Sequence, residues 1–357
     1  MQLTFRWYGE ADPIPLPYIR QIPAMRGVVA ALYDVDPAEP WPRARLASMR
    51  SRIEEHGLEF RVVESIPVHE DVKLGLPSRD GRIEAFNASL RVAGEVLGPR
   101  SRATGSEAPV VVTYNFMPVF DWLRTDLVLR NPDGSTSLYY DQDRVDATDP
   151  FEDSFDLPGW LTRYGRDEQA RLVERYRELG NEELWKNYEY FLKAVLPVAE
   201  KAGVFLAVHP DDPPWPVFGI PRIVTDAAAL RRIAGMAPSP ANGICFCAGT
   251  FGSSADNDVP SMAAEFAGRI RFAHLRNIRR SGRRTFAETA HWTGSGSLDM
   301  GAIVRALVSG GFEGPVRPDH GRMIWGEEGK PGYGLYDRAL GSQYLLGLVE
   351  QARATLK

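Results

Sequence analysis

The chain has 357 residues, of which 44% are hydrophobic and 25% charged, and its formal net charge is -5. This composition is ordinary for a globular enzyme, and the scattered basic residues argue against nucleic acid or an anionic membrane surface as a partner. No apolar run approaches the roughly 18 residues of a membrane span, the first residues lack the pattern of a signal peptide, and two cysteines make no disulfide framework, so we expect a reduced, cytoplasmic protein.

Eight short apolar runs rich in Val, Ile, Phe and Tyr predict eight β-strands. In chain order they cover residues 3–9, 27–34, 59–66, 109–116, 204–210, 243–249, 269–276 and 314–320. Amphipathic stretches that predict helices lie between or after them, at 41–57, 80–98, 182–203, 257–268, 299–310 and 334–355. This alternation predicts an α/β fold, a single (β/α)8 TIM barrel over residues 1–357. A doubly wound open sheet is disfavoured, because the first strand-to-helix turn has no Gly-rich dinucleotide-binding motif.

The connection after the fourth predicted strand is unusually long. It covers residues 117–181, and within it the stretch DLVLRNPDGSTSLYYD (126–141) predicts a β-hairpin, because two β-prone runs flank a strong turn signal. Loops of this length are uncommon in compact domains and are usually functional. We expect an inserted lid or an oligomer contact at the barrel mouth, with disorder as the alternative, and a homo-oligomeric protein.

Four potential metal ligands end the last four predicted strands: His209, Cys247, His274 and Asp319. The carboxyl ends of TIM-barrel strands meet at one face, so these side chains are expected to converge there. Each residue alone would more often be structural, and the hypothesis depends on the four together. Two imidazoles, a thiolate and a carboxylate suit a borderline divalent ion such as Mn²⁺, Fe²⁺, Co²⁺ or Zn²⁺. Cys245 shares a strand face with Cys247 but lies farther from the mouth, so we interpret it as a core residue.

One further histidine is placed for proton transfer. His320 directly follows the predicted ligand Asp319, which would hold an ionisable imidazole within a few ångströms of the metal. Imidazole titrates near neutral pH and is the commonest general acid or base in enzymes.

Several segments resemble one enzyme family over nearly the whole chain. They include HPDDPPWPVFGIPRIV (209–224), FCAGTFG (246–252), ADNDV (255–259), FAHLRN (272–277) and RPDHG (317–321). These motifs resemble the mannonate dehydratase family, whose fold belongs to the xylose isomerase-like TIM barrels. The resemblance implies dehydration of D-mannonate to 2-keto-3-deoxy-D-gluconate in hexuronate (glucuronate) catabolism, with Mn²⁺ or Fe²⁺. It gives the metal-ligand role to the four strand-end residues, and proton transfer to His320 and Tyr333.

The sequence departs from the family pattern in two places. The segment TGSGSLDM (293–300) keeps Asp299 but lacks an aspartate that family members commonly carry before it, and the segment 139–182 is shorter than in longer members. We expect these differences to affect substrate preference more than reaction class. Dehydration of a different sugar acid is therefore one alternative function.

Removal of water from a sugar acid requires a base for the C2 proton and an acid for the C3 hydroxyl. Tyr333 is preferred as the base and His320 as the acid, with the reverse assignment left open. A divalent cation would stabilise the developing negative charge. Each predicted substrate contact could instead be structural. Arg317, Arg276 and Arg6 are candidates for binding the substrate carboxylate or for lowering the pKa of Tyr333. Tyr8 and Asn115 are candidates for binding substrate hydroxyls, and His69 could also reach the substrate.

Two other functions remain open from the sequence. A metal-dependent sugar isomerase or epimerase could use the same barrel, but such sites are generally richer in carboxylate ligands, often with a lysine near the metal. Neither feature is recognised at the predicted strand ends. A non-catalytic metal-binding or sugar-acid-binding protein is the third possibility, and binding of mannonate without turnover would favour it.

Overall fold

The computed structural model describes residues 1–149 and 165–356, and twelve β-strands lie in these ranges. They are β1 Gln2–Arg6, β2 Gly27–Ala30, β3 Glu59–Glu64, β4 Val110–Tyr114, β5 Asp126–Arg130, β6 Thr136–Asp141, β7 Val204–Val208, β8 Asn242–Cys247, β9 Ile270–His274, β10 Ile278–Gly282, β11 Thr285–Glu288 and β12 Pro315–Arg317. Eight of them close a parallel barrel in the order β1, β2, β3, β4, β7, β8, β9, β12 and back to β1. The predicted TIM barrel is confirmed, and each of the eight predicted runs overlaps one barrel strand.

The barrel strands are buried on both faces, which explains why they appear in the sequence as continuous apolar runs rather than as alternating patterns. Every residue of β2, β3, β4 and β8 is buried. Six strands each contribute one side chain to a cluster that fills the barrel interior: Val29, Val62, Val111, Ala207, Cys245 and Phe272. The outward-facing side chains pack against the helices in one large hydrophobic core.

The helices of the described residues surround the barrel. They are α1 Leu16–Gln21, α2 Arg43–Glu55, α3 Glu70–Lys73, α4 Arg79–Leu97, α5 Gln142–Asp146, α6 Arg166–Ala202, α7 Ala227–Met236, α8 Ala248–Ser253, α9 Val259–Phe266, α10 Met300–Ser309 and α11 Tyr336–Thr355. Each of the six predicted amphipathic stretches overlaps one of them. The stretch 182–203 falls in the second half of α6, which is interrupted at Gly180, where φ is +72°. None of the described helices is both long and apolar enough to cross a lipid bilayer.

A second, antiparallel sheet is built from two separate connections of the barrel. The predicted hairpin is confirmed as β5 and β6, in the connection after β4. A second hairpin, β10 and β11, follows β9 and was not predicted; Phe286 of β11 pairs with Tyr140 of β6, giving the order β10, β11, β6, β5. Residues 150–164 of the predicted inserted region, and hence part of the proposed single domain, lie outside the described residues. The lid or oligomer role of the region stays a prediction.

Candidate metal centre and active site

A cavity of about 240 Å³ opens at the carboxyl ends of the barrel strands. Nine of the predicted site residues line it: Arg6, Tyr8, Asn115, His209, Arg276, Arg317, Asp319, His320 and Tyr333. The fully buried side chains of Cys247 and His274 lie against this group, since both contact or approach Asp319. The structure thus brings together all the predicted residues except His69.

His69 has a different position from the one expected. It precedes α3 and its Nδ1 accepts the backbone N–H of Asp71 at 3.0 Å, which caps the first turn of that helix. Its side chain is not among those that line the cavity. A position in the loop after a strand, as for His69, therefore predicted contact with the cavity less well than a position at the end of a strand.

The four predicted metal ligands, together with Cys245, form two overlapping groups that share His274. The candidate ligand atoms of His209, Cys245 and His274 all lie within 4.8 Å of one another, as do those of Cys247, His274 and Asp319. His274 is fully buried, and its Nδ1 has no hydrogen-bond partner among the described residues. A buried imidazole nitrogen without a partner, next to a thiol and a carboxylate, is a donor set that fits a divalent cation.

Cys245 needs a fuller description than the core role predicted for it. It is fully buried and belongs to the cluster inside the barrel, as expected. Its Sγ nevertheless lies 3.4 Å from Nε2 of His274, so it also contacts the ligand group. Burial raises the pKa of the Cys245 thiol well above its ordinary value. Both cysteines of β8 therefore belong to candidate ligand groups, Cys245 to one and Cys247 to the other.

Glu64, at the end of β3, is a site residue that the sequence analysis missed. Its carboxylate lies 2.8 Å from Nη2 of Arg317, 3.0 Å from Nη1 of Arg6 and 3.4 Å from Nε2 of His274. Burial opposes ionisation, but these three groups outweigh it and hold the pKa of Glu64 well below its ordinary value. The predicted ligands all come from the last four strands of the barrel, whereas Glu64 ends the third.

Asp319 is held by two of the predicted substrate-binding arginines. Its Oδ1 lies 2.7 Å from Nη2 of Arg317, and its Oδ2 lies 3.2 Å from Nη1 of Arg276. Burial raises the pKa of Asp319, but Arg317, His320 and the other nearby cations lower it well below its ordinary value. The backbone of Asp319 has φ of +66°, a left-handed conformation that aspartate tolerates better than most residues. Both arginines therefore contact protein carboxylates in this site.

The two predicted proton-transfer residues form a direct hydrogen bond. Nε2 of His320 lies 2.6 Å from the Tyr333 hydroxyl, and Nδ1 of His320 lies 2.7 Å from Oε1 of Glu288. Nδ1 is also 3.0 Å from Nη1 of Arg276, but one nitrogen cannot donate and accept at once. We assign the Nδ1 proton to the shorter bond with Glu288, since Arg276 has Asp319 as an alternative acceptor. The Tyr333 hydroxyl then donates to Nε2.

The ionisation of this group follows from burial and charge. Burial raises the pKa of Tyr333 to about 12, so the phenol is protonated at neutral pH. Burial also lowers the pKa of His320, although Asp319 and Glu288 oppose that change. Burial raises the pKa of Glu288, but His320 and the adjacent arginines more than reverse this and bring it to about 2. Glu288 is therefore a carboxylate that accepts the imidazole proton.

Behind His320 lies a buried network of charges that the sequence did not reveal. Arg124 is fully buried; it binds Asp212 through two hydrogen bonds of 2.9 and 3.1 Å and Glu288 through two of 2.8 and 3.2 Å. Arg276 also donates to Asp212, at 2.8 Å. Arg124 comes from the connection after β4, Asp212 from the loop after β7, and Glu288 from the end of β11. The second sheet thus supplies the carboxylate that contacts the imidazole.

The remaining predicted contacts line the side of the cavity nearer to β1 and β4. The Tyr8 ring packs edge-on against the Tyr333 ring, with centroids 5.1 Å apart. Arg6 donates to the Tyr33 hydroxyl at 2.9 Å. Asn115 donates to the Asp121 carboxylate and accepts a backbone N–H with its own oxygen. These groups leave hydrogen-bonding atoms near a space that is large enough for a small polar ligand.

Comparison with known proteins gives a consistent result over the full length. A family model described as D-mannonate dehydratase (UxuA) matches residues 1–357. Mannonate dehydratase 2 of Halalkalibacterium halodurans is 47% identical over 352 residues, which cover 98% of this chain and 99% of that protein. Mannonate dehydratase of Oceanobacillus iheyensis is 48% identical over 350 residues, covering 98% and 97%.

Solved structures agree with these sequence matches. The crystal structure of mannonate dehydratase from Streptococcus suis serotype 2 superimposes with a TM-score of 0.89 at 45% identity, covering 99% of this chain and 96% of that one. An L-ribulose 3-epimerase has a TM-score of 0.56 at 14% identity, covering 100% and 97%. This second likeness shows a shared fold only, since fold alone does not define function.

Proposed function

The chain belongs to the D-mannonate dehydratase family, and from that premise we propose that it is a metal-dependent hydro-lyase that converts D-mannonate to 2-keto-3-deoxy-D-gluconate. The observation that carries the proposal is the position of the hydrogen-bonded pair of His320 and Tyr333, which shares one cavity with the cluster of candidate metal ligands. An acid–base pair beside a cation site is what removal of water next to a carboxylate requires.

We propose that the resident cation is Mn²⁺ or Fe²⁺ and that its ligands are His209, Cys247, His274 and Asp319. Co²⁺ and Zn²⁺ suit the same mixture of donors. When bound, the cation would stabilise the negative charge that develops on the sugar acid as the C2 proton leaves. Cys245 and Glu64 contact His274 and would fix the orientation of its ring.

The protein's own proton transfers follow from the hydrogen bonds around His320. Because the pKa of Tyr333 is about 12, its oxygen can accept the C2 proton only after its own proton moves to Nε2 of His320. Glu288 stabilises the imidazolium that results, through the bond to Nδ1. The imidazolium then gives its Nε2 proton to the departing C3 hydroxyl, which leaves as water. Tyr333 and His320 both return to their starting states, and the enol product rearranges to the 2-keto acid.

The other cavity residues are proposed to hold the substrate. Arg6, Arg276 and Arg317 would donate hydrogen bonds, and Tyr8 and Asn115 would contact hydroxyl groups. His69 is left out, since its side chain does not line the cavity. We also propose a cytoplasmic location. We further propose a homo-oligomeric assembly, and light scattering on the purified protein would measure its mass.

The activity is tested with a panel of aldonates and metal-reconstituted protein. D-Mannonate with Mn²⁺ or Fe²⁺ is expected to give a 2-keto-3-deoxy acid, with a loss of water visible by mass, and a chelator is expected to stop the reaction. A product of unchanged mass would indicate an isomerase or epimerase instead. Failure of every hexonate to give product with any of the four metals would refute the proposal.

Glu288→Gln is expected to lower kcat by about 100-fold, at the lower end of what acid–base groups contribute, while KM changes by less than about threefold. The neutral amide no longer stabilises the imidazolium, although it fills nearly the same space. Metal content, measured on the purified variant, should equal that of the wild type, because Glu288 is not a proposed ligand.

Glu70→Gln is the matched control for Glu288→Gln. Glu70 is also a buried glutamate in an ion pair, 2.7 Å from Lys73, but it does not line the cavity. This control should lose stability and keep its kcat. Equal kcat values in the two variants would show that Glu288 has no more than a structural part.

A further inference from the structure

The cations that line the cavity differ in whether a protein carboxylate already balances their charge. Arg6 lies 3.0 Å from Glu64, and Arg276 and Arg317 each lie 2.8 Å from a carboxylate oxygen. Lys330 lines the same cavity, but among the described residues its ammonium forms no ion pair and no hydrogen bond. The three arginines can still donate hydrogen bonds. Among these four cations, however, Lys330 is the one whose positive charge is not balanced by a carboxylate in contact with it.

Lys330 is held in place by aromatic rings and by its loop. Its Nζ lies 4.1 Å from the centroid of the Tyr8 ring and 5.3 Å from that of the Tyr333 ring. The Tyr333 N–H donates to the Lys330 carbonyl at 2.9 Å. Gly332, between them, has φ of +78°, a conformation that glycine adopts without strain. The ammonium is thus positioned near the proton-transfer pair by the same turn that carries Tyr333.

We propose that Lys330 is a specificity-determining residue whose ammonium, held against the Tyr8 ring at the cavity wall, pairs with the carboxylate of the sugar acid. This inference rests on the proposed function. It explains how a site whose arginines are already paired can select an anionic sugar acid over a neutral sugar. A cation next to aromatic faces and partly removed from water interacts more strongly with an anion than one in bulk solvent.

The charges around Lys330 give this pairing a pH dependence. The Lys330 side chain is exposed, but the cavity wall partly shields its ammonium from water. This partial desolvation and the nearby Arg6 lower the pKa of Lys330 to about 8, against the opposing effects of Asp12 and Asp121. The other facing groups are the Tyr8 and Tyr333 phenols, whose pKa values burial raises. Lys330 is therefore charged below pH 8 and loses its charge above it. The KM for D-mannonate should rise as the pH increases through about 8.

Three variants of the metal-loaded enzyme test the proposal at pH 7. Lys330→Met should raise KM for D-mannonate at least about tenfold with little change in kcat, whereas Lys330→Arg keeps the charge and should change KM by less than about threefold. Lys186→Met removes an exposed lysine on α6 that pairs with Glu183, and it should match the wild type. In Lys330→Arg, the rise in KM above pH 8 should disappear.

D-Mannonamide, the neutral amide of the substrate, separates charge recognition from a change in loop shape. Its inhibition constant should be the same for the wild type and Lys330→Met. An inhibition constant that rises as much as KM would overturn the proposal in favour of a loop effect, and so would an unchanged KM in Lys330→Met. A wild-type enzyme that turns over no hexonate would defeat the proposed function itself, whereas turnover that is independent of Lys330 would defeat this inference alone.

Discussion

Asp319→Ala is expected to deprive the protein of its metal and, with it, of nearly all dehydratase activity. Asp319 is the carboxylate of the proposed ligand set, and its candidate ligand atom groups with those of Cys247 and His274. Changes to residues that only support metal ligands typically cost about 10–100-fold in affinity, so loss of a ligand should cost more than about 100-fold. Metal per protein chain after dialysis, measured by elemental analysis, is the direct check.

The substitution to alanine also disturbs the protein in two ways that are unrelated to the metal. It leaves Arg317 and Arg276 with one fewer carboxylate in a buried site, and it places alanine at a φ of +66°, which costs on the order of 1 kcal/mol. Asp319→Asn is the cleaner variant, because asparagine tolerates this conformation and keeps the side-chain shape. It should also lose the metal, while unfolding at a temperature closer to that of the metal-free wild type.

Asp211→Asn is the control for both Asp319 variants. Asp211 is likewise a fully buried carboxyl group near the end of β7, but it accepts the backbone N–H groups of Ile223 and Val224 and is outside the ligand groups. Burial raises the pKa of Asp211, and the amide oxygen of asparagine can still accept both N–H groups. This variant should bind metal normally. An Asp319→Asn protein with a full complement of metal would remove Asp319 from the ligand set.

The barrel and the candidate ligands could be predicted because both depend on local sequence. A parallel strand that is buried on both faces is a continuous apolar run, and the residue that ends such a run lies at the mouth of the barrel. His209, His274 and Asp319 each follow a run of this kind, so their convergence required no knowledge of which side chains touch. Cys247 ends β8 in the same way.

The charged network around His320 could not be predicted, because its members are far apart in sequence and meet only in the folded protein. Arg124 and Glu288 are 164 residues apart in sequence and meet only when the connections after β4 and β9 form one sheet. The strand β10, IRRSG, has little apolar periodicity of its own and is ordered by pairing with β11. Glu64 was missed for a different reason: it ends β3, but it lies two residues before the end of the predicted run 59–66.

Sequence also indicates which cations reach the cavity without showing which of them are already paired. Arg6, Arg276 and Arg317 were each considered for the substrate carboxylate, and all three contact protein carboxylates in the structure. Lys330 was not considered, although it is three residues before Tyr333. The balance of charge in a buried site depends on distances between elements, and no local pattern encodes those distances.

His320→Asn is expected to retain the metal and to lose turnover, by about 10²–10⁴-fold in kcat, which is the range that a general acid or base contributes. Asparagine is smaller than histidine and cannot carry a proton between the Tyr333 oxygen and the substrate at neutral pH. The candidate ligand groups do not include His320, so the metal content should match that of the wild type. Tyr333→Phe should also retain the metal and lose turnover, because it removes the hydroxyl that forms the 2.6 Å hydrogen bond with His320.

The double variant of His320 and Tyr333 tests whether the two residues act as one unit. If a single proton moves through both, losing the second residue after the first should cost little more, since the effects of groups that act together are strongly non-additive. Independent roles would instead multiply the two losses in kcat. A His320→Asn protein that lost its metal would place the imidazole among the ligands, and one that kept its activity would exclude His320 from the proton path. The proposed roles require that substitution of Asp319 removes the metal and that substitution of the adjacent His320 leaves it bound.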